Sequence, residues 1–219
     1  MNKKIYIFEL ILFSIFFFVL KNTPYFSVFE SFYTILHEIC HGITTYLTGG
    51  SIKYISFDSF KSAHIVSSGG IYFLIGISGY IGTSIIAALF FYIKNKRVFF
   101  IILNFIILFS LFFFTKISYQ FFISFLFSLF LIFLSFKSEK IIDHIVFMFG
   151  VYIGLNNLND IYTYLFAIPY KTDSGLIAQN LGLPFLTLPI SLFMSISSLF
   201  ILYLGFKYWL LSNNKDSFS

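Results

Sequence analysis

The residues best suited to chemistry are His37, Glu38 and His41, which form an HExxH sequence inside a long apolar segment. Histidines at positions i and i+4 share one helix face about one turn apart, so both imidazoles can bind a single zinc ion. The intervening glutamate can act as general base toward an attacking water. The sequence therefore predicts a metal site with His37 and His41 as ligands and Glu38 as the catalytic residue.

The motif is part of a longer polar stripe on the same predicted helix. The stripe consists of Glu30, Thr34, His37, His41 and Thr45. Because lipid would leave these groups unsatisfied, the stripe must face the interior of a bundle or water. The alternative is a polar seam that only joins helices, for which Ser, Thr or Asn would suffice without two histidines and a glutamate.

The composition indicates an integral membrane protein. Of the 219 residues, 58% are hydrophobic and 11% charged, and the mean hydropathy is +0.91, so a soluble domain of this size could not bury the apolar surface. The 35 phenylalanines lie mostly in helix-length runs, which favours a helical bundle over a barrel. The single cysteine excludes an internal disulfide. The basic balance suggests contact with anionic lipid headgroups, and no nucleic-acid-binding pattern is present.

Seven apolar segments divide the chain, and each is close to the length needed to cross a bilayer. They lie at about 5–20, 25–48, 69–93, 98–115, 118–136, 141–166 and 183–211. The first is not followed by a small-residue cleavage site and is interpreted as a membrane helix rather than a signal peptide. The predicted fold is an all-α polytopic transmembrane bundle of about six to seven helices, forming one domain over residues 1–219. Positive charges do not decide its orientation.

Two connections are long enough to contain structure. Residues 51–68 begin with a rough period-2 pattern, which predicts a β-hairpin after the motif helix; an irregular loop is the alternative. Residues 169–182 resemble a short polar turn followed by an interfacial helix.

A zinc site usually has three protein ligands, so a third is needed. The candidates are Glu30, Asp58, His64, Asp143, His144, Asp160 and Asp173. Glu30 lies about 10 Å from His37 along the same helix and is too far away. Segments 2 and 6 run in the same direction, which places Asp160 in the same leaflet as the histidines and makes it the favoured ligand. Asp173 is expected either to support the site from a loop or, more simply, to begin a helix.

Asn156 and Asn157 lie four and three residues before Asp160, so all three can share a helix face. The two amides are predicted to orient the carboxylate or to bind a substrate backbone. The alternative is that this polar patch marks the end of a shorter helix, with Asp160 capping the next.

Several short sequences resemble the site-2 protease family of intramembrane zinc metalloproteases, in particular its small bacterial branch without a PDZ domain. They are His37-Glu38-Ile39-Cys40-His41-Gly42, Leu47-Thr48-Gly49-Gly50, Ser78-Gly79-Tyr80-Ile81-Gly82, Asn159-Asp160-Ile161, Thr172-Asp173-Ser174-Gly175 and Gly182-Leu183-Pro184. The resemblance covers roughly residues 30–190. Better-known members place the ligand aspartate in a Leu-Asp-Gly turn, whereas this chain has Leu158-Asn159-Asp160-Ile161.

The resemblance implies a zinc-dependent endopeptidase in a bacterial cell membrane that cleaves transmembrane protein substrates. It implies His37, His41 and Asp160 as zinc ligands and Glu38 as base. A substrate helix would have to unwind before cleavage, and an exposed hairpin edge at residues 51–66 could hold it by β-augmentation. The rival hypothesis is a non-catalytic homologue that binds membrane helices or a metal. A transporter would be expected to show repeats or polar residues on several helices.

Overall fold

The computed structural model describes residues 3–21, 23–93, 95–163, 165 and 172–215. This part of the chain forms eight α-helices and one β-hairpin, and each predicted apolar segment coincides with a helix. The helices are α1 (Lys3–Leu20), α2 (Ser27–Leu47), α3 (Tyr72–Tyr92), α4 (Lys96–Phe114), α5 (Tyr119–Ser135), α6 (Glu139–Tyr162), α7 (Asp173–Asn180) and α8 (Thr187–Lys215). The prediction of an all-α bundle with one hairpin is confirmed.

Four stretches of the described helices are long and apolar enough to cross a membrane, by length and composition. They are Tyr72–Tyr92, Lys96–Phe114, Glu139–Tyr162 and Pro184–Trp209. Two more apolar helices, Ile7–Leu20 and Tyr119–Ser135, are shorter. Such a set of helices fits a multi-pass membrane protein.

Helix α2, which carries the HExxH sequence, is enclosed by the rest of the bundle. Every residue from Glu30 to Gly42 is buried, and so is Thr45. The whole polar stripe therefore faces the protein interior, which confirms the prediction. Buried polar groups need partners, so the contacts of this stripe decide what the helix does.

Helix α3 is the central packing element, because it contacts α2, α6, α7 and α8. Small residues allow the close approaches. A Cβ placed on Gly205 of α8 would lie 2.7 Å from the Cα of Ala88 in α3, so only glycine fits that helix crossing. Elsewhere the core is aromatic, and Phe32, Phe149 and Tyr152 are almost completely buried.

The predicted hairpin is present as β1 (Ser51–Phe57) and β2 (Ala63–Ser68), which pair antiparallel with a bulge between Ile52 and Tyr54. It packs along α2. Three glycines at its base, Gly49, Gly69 and Gly70, have φ values of 84°, 73° and 83°. Residues with a side chain rarely adopt that conformation, so these glycines permit the chain to leave α2 and enter α3 tightly.

The two outer edges of the hairpin differ. The Lys116 N–H donates to the Ile55 carbonyl oxygen at 2.8 Å, so the β1 edge is covered at that point. In an antiparallel ladder, the N–H and C=O of one residue point to the same side. The backbone N–H and C=O of Ile55 thus point away from β2, and those of its partner Ile65 point away from β1. Within the described residues the β2 edge has no strand partner.

The second long connection contains α7, as the expected short helix. The first part of this connection, residues 169–171, lies outside the described residues.

Candidate active site

The two histidines of α2 face each other across one helical turn. The His37 Nε2 and His41 Nε2 atoms are 3.0 Å apart, and both residues are buried. The His41 Nδ1 lies 2.6 Å from the Ile75 carbonyl oxygen of α3. Because a carbonyl can only accept, Nδ1 carries a proton, so in the neutral ring the lone pair is on Nε2. This hydrogen bond fixes both the ring orientation and the tautomer that a metal requires.

A carboxylate from α7 completes the group. Asp173 Oδ2 lies 3.1 Å from His37 Nε2 and 3.3 Å from His41 Nε2. Tetrahedral zinc, with bonds of about 2.0–2.1 Å, separates its ligand atoms by about 3.3–3.4 Å, so the observed triangle is only slightly smaller. Two imidazoles and one carboxylate are also a common catalytic zinc set. The donor set therefore fits a zinc ion.

Asp173 is positioned by the packing of α7. The Ser174 hydroxyl is 2.7 Å from the Ser191 hydroxyl, which joins α7 to α8. On the other side, Ile177 fits against Gly76 of α3, where a Cβ would come within 2.6 Å of its Cδ1. Burial alone would raise the pKa of Asp173, but the positive charge of protonated His41 and hydrogen bonds from both histidines hold that pKa well below its usual range. The side chain is thus kept in the anionic form that binds metal.

Three glycines at intervals of three residues line the face of α3 toward the site. Gly76 accommodates α7, and Gly82 accommodates Cys40 of α2, whose Sγ would lie 2.6 Å from a Cβ there. Between them, a Cβ on Gly79 would overlap the His37 imidazole and lie 2.6 Å from His41 Nε2. The space for the two imidazoles thus exists only because position 79 has no side chain.

Glu38 lies on the hairpin side of the histidines and is 6% exposed. Its carboxylate interacts with the backbone of Ile65 in β2, the residue whose N–H and C=O point outward from the strand. Glu38 and Ile65 line the same cavity as His41. The potential general base is therefore next to both the histidines and the edge of β2 that has no strand partner among the described residues.

Two cavities flank the histidines and Asp173. The larger, of about 220 Å³, lies toward the tip of the hairpin. Its lining residues include Tyr33, Thr34, Lys61, Tyr80 and Asp160 as well as His37 and Asp173. The smaller, of about 140 Å³, includes Glu38, His41, Ile65, Tyr72 and Leu176 together with Asp173. Asp173 borders both, so the candidate metal site lies between two spaces that could hold parts of a substrate.

Asp160 is near this site but in a different environment from the one predicted. Its Oδ2 accepts a hydrogen bond from the Tyr33 hydroxyl at 2.5 Å, and the residue lines the larger cavity. Among the described residues, the group of side chains that could hold a metal consists of His37, His41 and Asp173. The structure therefore brings Asp173, and not Asp160, together with the two histidines.

The two asparagines also have defined partners. Asn157 is 2% exposed; its Oδ1 is near the hydroxyls of Tyr33 and Thr83, and its Nδ2 donates to Ser84 Oγ at 3.2 Å. It therefore joins α6 to α2 and α3. Asn156 Nδ2 donates to the Tyr152 carbonyl within α6. Neither asparagine is among the residues that line the two cavities.

His64 forms a pair with Asp58 at 3.0 Å, and both side chains are about half exposed.

Sequence reasoning missed the close approach of Asp173 and the roles of Tyr33 and Gly79. The available signals were the sequence Thr172-Asp173-Ser174-Gly175 and the regular spacing of Gly76, Gly79 and Gly82.

Comparison with known proteins identifies the family of this chain. The family model described as Peptidase M50B-like matches residues 10–205. Neither the curated proteins nor the solved structures compared with the chain include a match. The family match spans nearly all of the chain, including both histidines, Glu38 and Asp173. The chain therefore belongs to the Peptidase M50B-like family, which is the site-2 protease family.

Proposed function

We propose that this protein is a zinc-dependent intramembrane endopeptidase that hydrolyses peptide bonds of membrane-embedded protein substrates. One observation carries the proposal: Nε2 of His37, Nε2 of His41 and Oδ2 of Asp173 converge within 3.3 Å beside the buried Glu38. Membership of a peptidase family and the four membrane-length helices support it. His37, His41 and Asp173 would hold the ion, with Asp173 in the place expected for Asp160.

When bound, zinc would supply Lewis-acid chemistry, by which a water becomes a stronger nucleophile and a peptide carbonyl more electrophilic. Glu38 would take the proton of the attacking water on its carboxylate. It would then give that proton to the leaving amide nitrogen as the C–N bond breaks. The hydrogen bond from His41 Nδ1 to the Ile75 carbonyl would keep the histidine in its ligand orientation throughout.

The substrate would bind as an extended strand on the outer edge of β2. Ala63 and Ile65 are two residues apart in β2, so both direct their backbone N–H and C=O groups away from β1. Ala63 lines the larger cavity and Ile65 the smaller. A strand paired along this edge would cross the site from one cavity to the other. An unwound helix regains backbone hydrogen bonds in this way.

The strand-edge proposal predicts a defect for Ala63→Pro, which removes one outward N–H. Because one net hydrogen bond contributes about 0.5–1.5 kcal/mol, we expect kcat/KM to fall about threefold to tenfold. Zinc content should remain at the wild-type value. The control is Lys53→Pro, placed at the bulge in the other strand, where proline is tolerated. Equal kcat/KM values for the two proline variants would contradict binding along β2.

The experiment that tests the peptidase itself is Glu38→Gln in purified protein. We expect one zinc per chain, measured by elemental analysis, and a loss of about 10²- to 10⁴-fold in cleavage of a single-span reporter substrate. The control is Glu139→Gln, an exposed residue in the first turn of α6, which should cleave normally. Retained cleavage by Glu38→Gln would refute the mechanism. Zinc binding without any cleavage by the wild-type protein would favour a non-catalytic metal-binding homologue.

A further inference from the structure

An acidic side chain in the larger cavity, that of Asp160, has no role in the proposed reaction. Asp160 is at the end of α6 and borders the cavity together with His37 and Asp173. A carboxylate within an apolar bundle is costly unless something compensates it, so such residues tend to mark substrate or ion sites.

A hydrogen bond from Tyr33 holds the Asp160 carboxyl group in place. The Tyr33 hydroxyl has one proton and lies 2.5 Å from Asp160 Oδ2 and 2.8 Å from Asn157 Oδ1. Bonds from a hydroxyl to a charged oxygen are typically 2.5–2.7 Å long and stronger than neutral ones. The shorter distance to Asp160 therefore indicates that the Tyr33 proton points toward the Asp160 carboxyl group.

The nearby lysines of the described chain are bound elsewhere. Lys61 lines the same cavity, but its Nζ lies 3.0 Å from Glu30 Oε1. Lys21 Nζ donates to Asn159 Oδ1 at 2.6 Å, and its positive charge acts on Asp160 without a direct ion pair. Among the ion pairs between described residues, none includes Asp160. A cation in the cavity would therefore be the first to make a direct ion pair with Asp160 among the described residues.

The cavity is placed to receive a substrate side chain near the scissile bond. It extends from Ser62 and Ala63, at the start of the free edge of β2, to His37 and Asp173. A strand lying on that edge would direct alternate side chains to the same face, so one of them can enter this space. Tyr33 and Tyr80 also line this space.

We propose that the larger cavity is a specificity subsite for a cationic side chain, lysine or arginine, and that Asp160 is the residue that recognises it. This inference rests on the proposed peptidase function. The smaller cavity, lined by Ile65, Ile75, Leu176 and Ile177, accepts an apolar side chain on the other side of the scissile bond. Substrates are therefore selected by a positive charge on the hairpin-tip side of the site and an apolar residue on the other.

The test measures binding without cleavage, using the zinc-loaded Glu38→Gln variant in detergent. The probes are single-span peptides that are identical except for lysine or norleucine at one of the positions around the cleavage site. At one position we expect lysine to bind about 10- to 100-fold tighter by fluorescence anisotropy, the range for hydrogen bonds to charged groups. Adding Asp160→Asn should reduce that ratio to about one, and Asp160→Glu should restore part of it.

The matched control is Asp143→Asn, which removes a carboxylate near the other end of α6 and should leave the ratio unchanged. The proposal is overturned if no position favours lysine, if the preference survives Asp160→Asn, or if that variant loses its zinc. The peptidase assignment can fail separately. If the wild-type protein cleaves no peptide while lysine binding still depends on Asp160, the proposed reaction is contradicted and the proposed subsite is supported.

Discussion

Three polar atoms from distant parts of the chain meet at the candidate metal site. Without a cation, three acceptor atoms within 3.3 Å would repel one another unless protons lay between them. A bound zinc ion removes that repulsion and satisfies all three lone pairs at once. The same arrangement leaves Glu38 uncoordinated and available for proton transfer. The metal-binding role of His37 and His41 is thus separate from the role of Glu38 as base, although the three residues are close in sequence.

Asp173→Ala tests which carboxylate binds the metal. Removing a ligand should weaken zinc binding more than the about 10- to 100-fold typical of residues that only orient ligands. Asp160→Ala should keep one zinc per chain, because its carboxylate is held by Tyr33 away from the histidines. Zinc titration of both purified variants with a competing chelator decides the question. Loss of zinc from Asp160→Ala alone would restore the original sequence-based assignment.

The residues that could be predicted from sequence are those whose geometry is local. One helical turn fixes the separation of His37 and His41, and Glu38 follows from the same spacing. Asp173 could not be found in this way, because depth in the membrane can be compared only between residues on membrane-crossing helices. The carboxylate instead comes from α7, a short helix whose position depends on contacts with α3 and α8. Those contacts are tertiary and leave little trace in local sequence.

At the level of elements, α3 acts as the surface against which the site is assembled. Gly76, Gly79 and Gly82 allow α7, the two imidazoles and Cys40 to approach the helix backbone. In membranes, where helices gain little from the hydrophobic effect, such close contacts are a main source of association. The hairpin was predictable from its alternating pattern and glycines. Which of its two edges stays uncovered was not, because Lys116 covers the β1 edge through a tertiary contact.

Gly79→Ala tests this role of α3. The added methyl group would overlap the His37 imidazole and crowd His41, so we expect zinc affinity to fall at least about tenfold, with cleavage falling in parallel. The control is Gly154→Ala in α6, where a Cβ would meet only the Leu202 side chain at 3.8 Å. If both variants bind zinc as tightly as the wild type, the imidazoles do not need the space at position 79.

At the level of the whole molecule, the candidate metal site brings together residues of two helices, α2 and α7, that both pack against α3. His37 and His41 are on α2, Asp173 is on α7, and α7 is held between α3 and α8. Without zinc, α7 depends on the Ser174–Ser191 hydrogen bond and the packing of Ile177 against Gly76. Zinc binding should therefore stabilise the assembled bundle as well as prepare the site for catalysis.

Metal removal should lower the thermal stability of the protein. A ligand at 100 times its Kd stabilises the native state by about 2.7 kcal/mol, which for a chain of this size corresponds to about 5–10 °C in Tm. Zinc-loaded and chelator-treated protein should differ by that amount in a thermal scan in detergent. Glu38→Gln should show the same difference, since the base does not bind the metal, and His37→Ala should show none. A zinc-dependent shift that persists in His37→Ala would place the ion somewhere other than between α2 and α7.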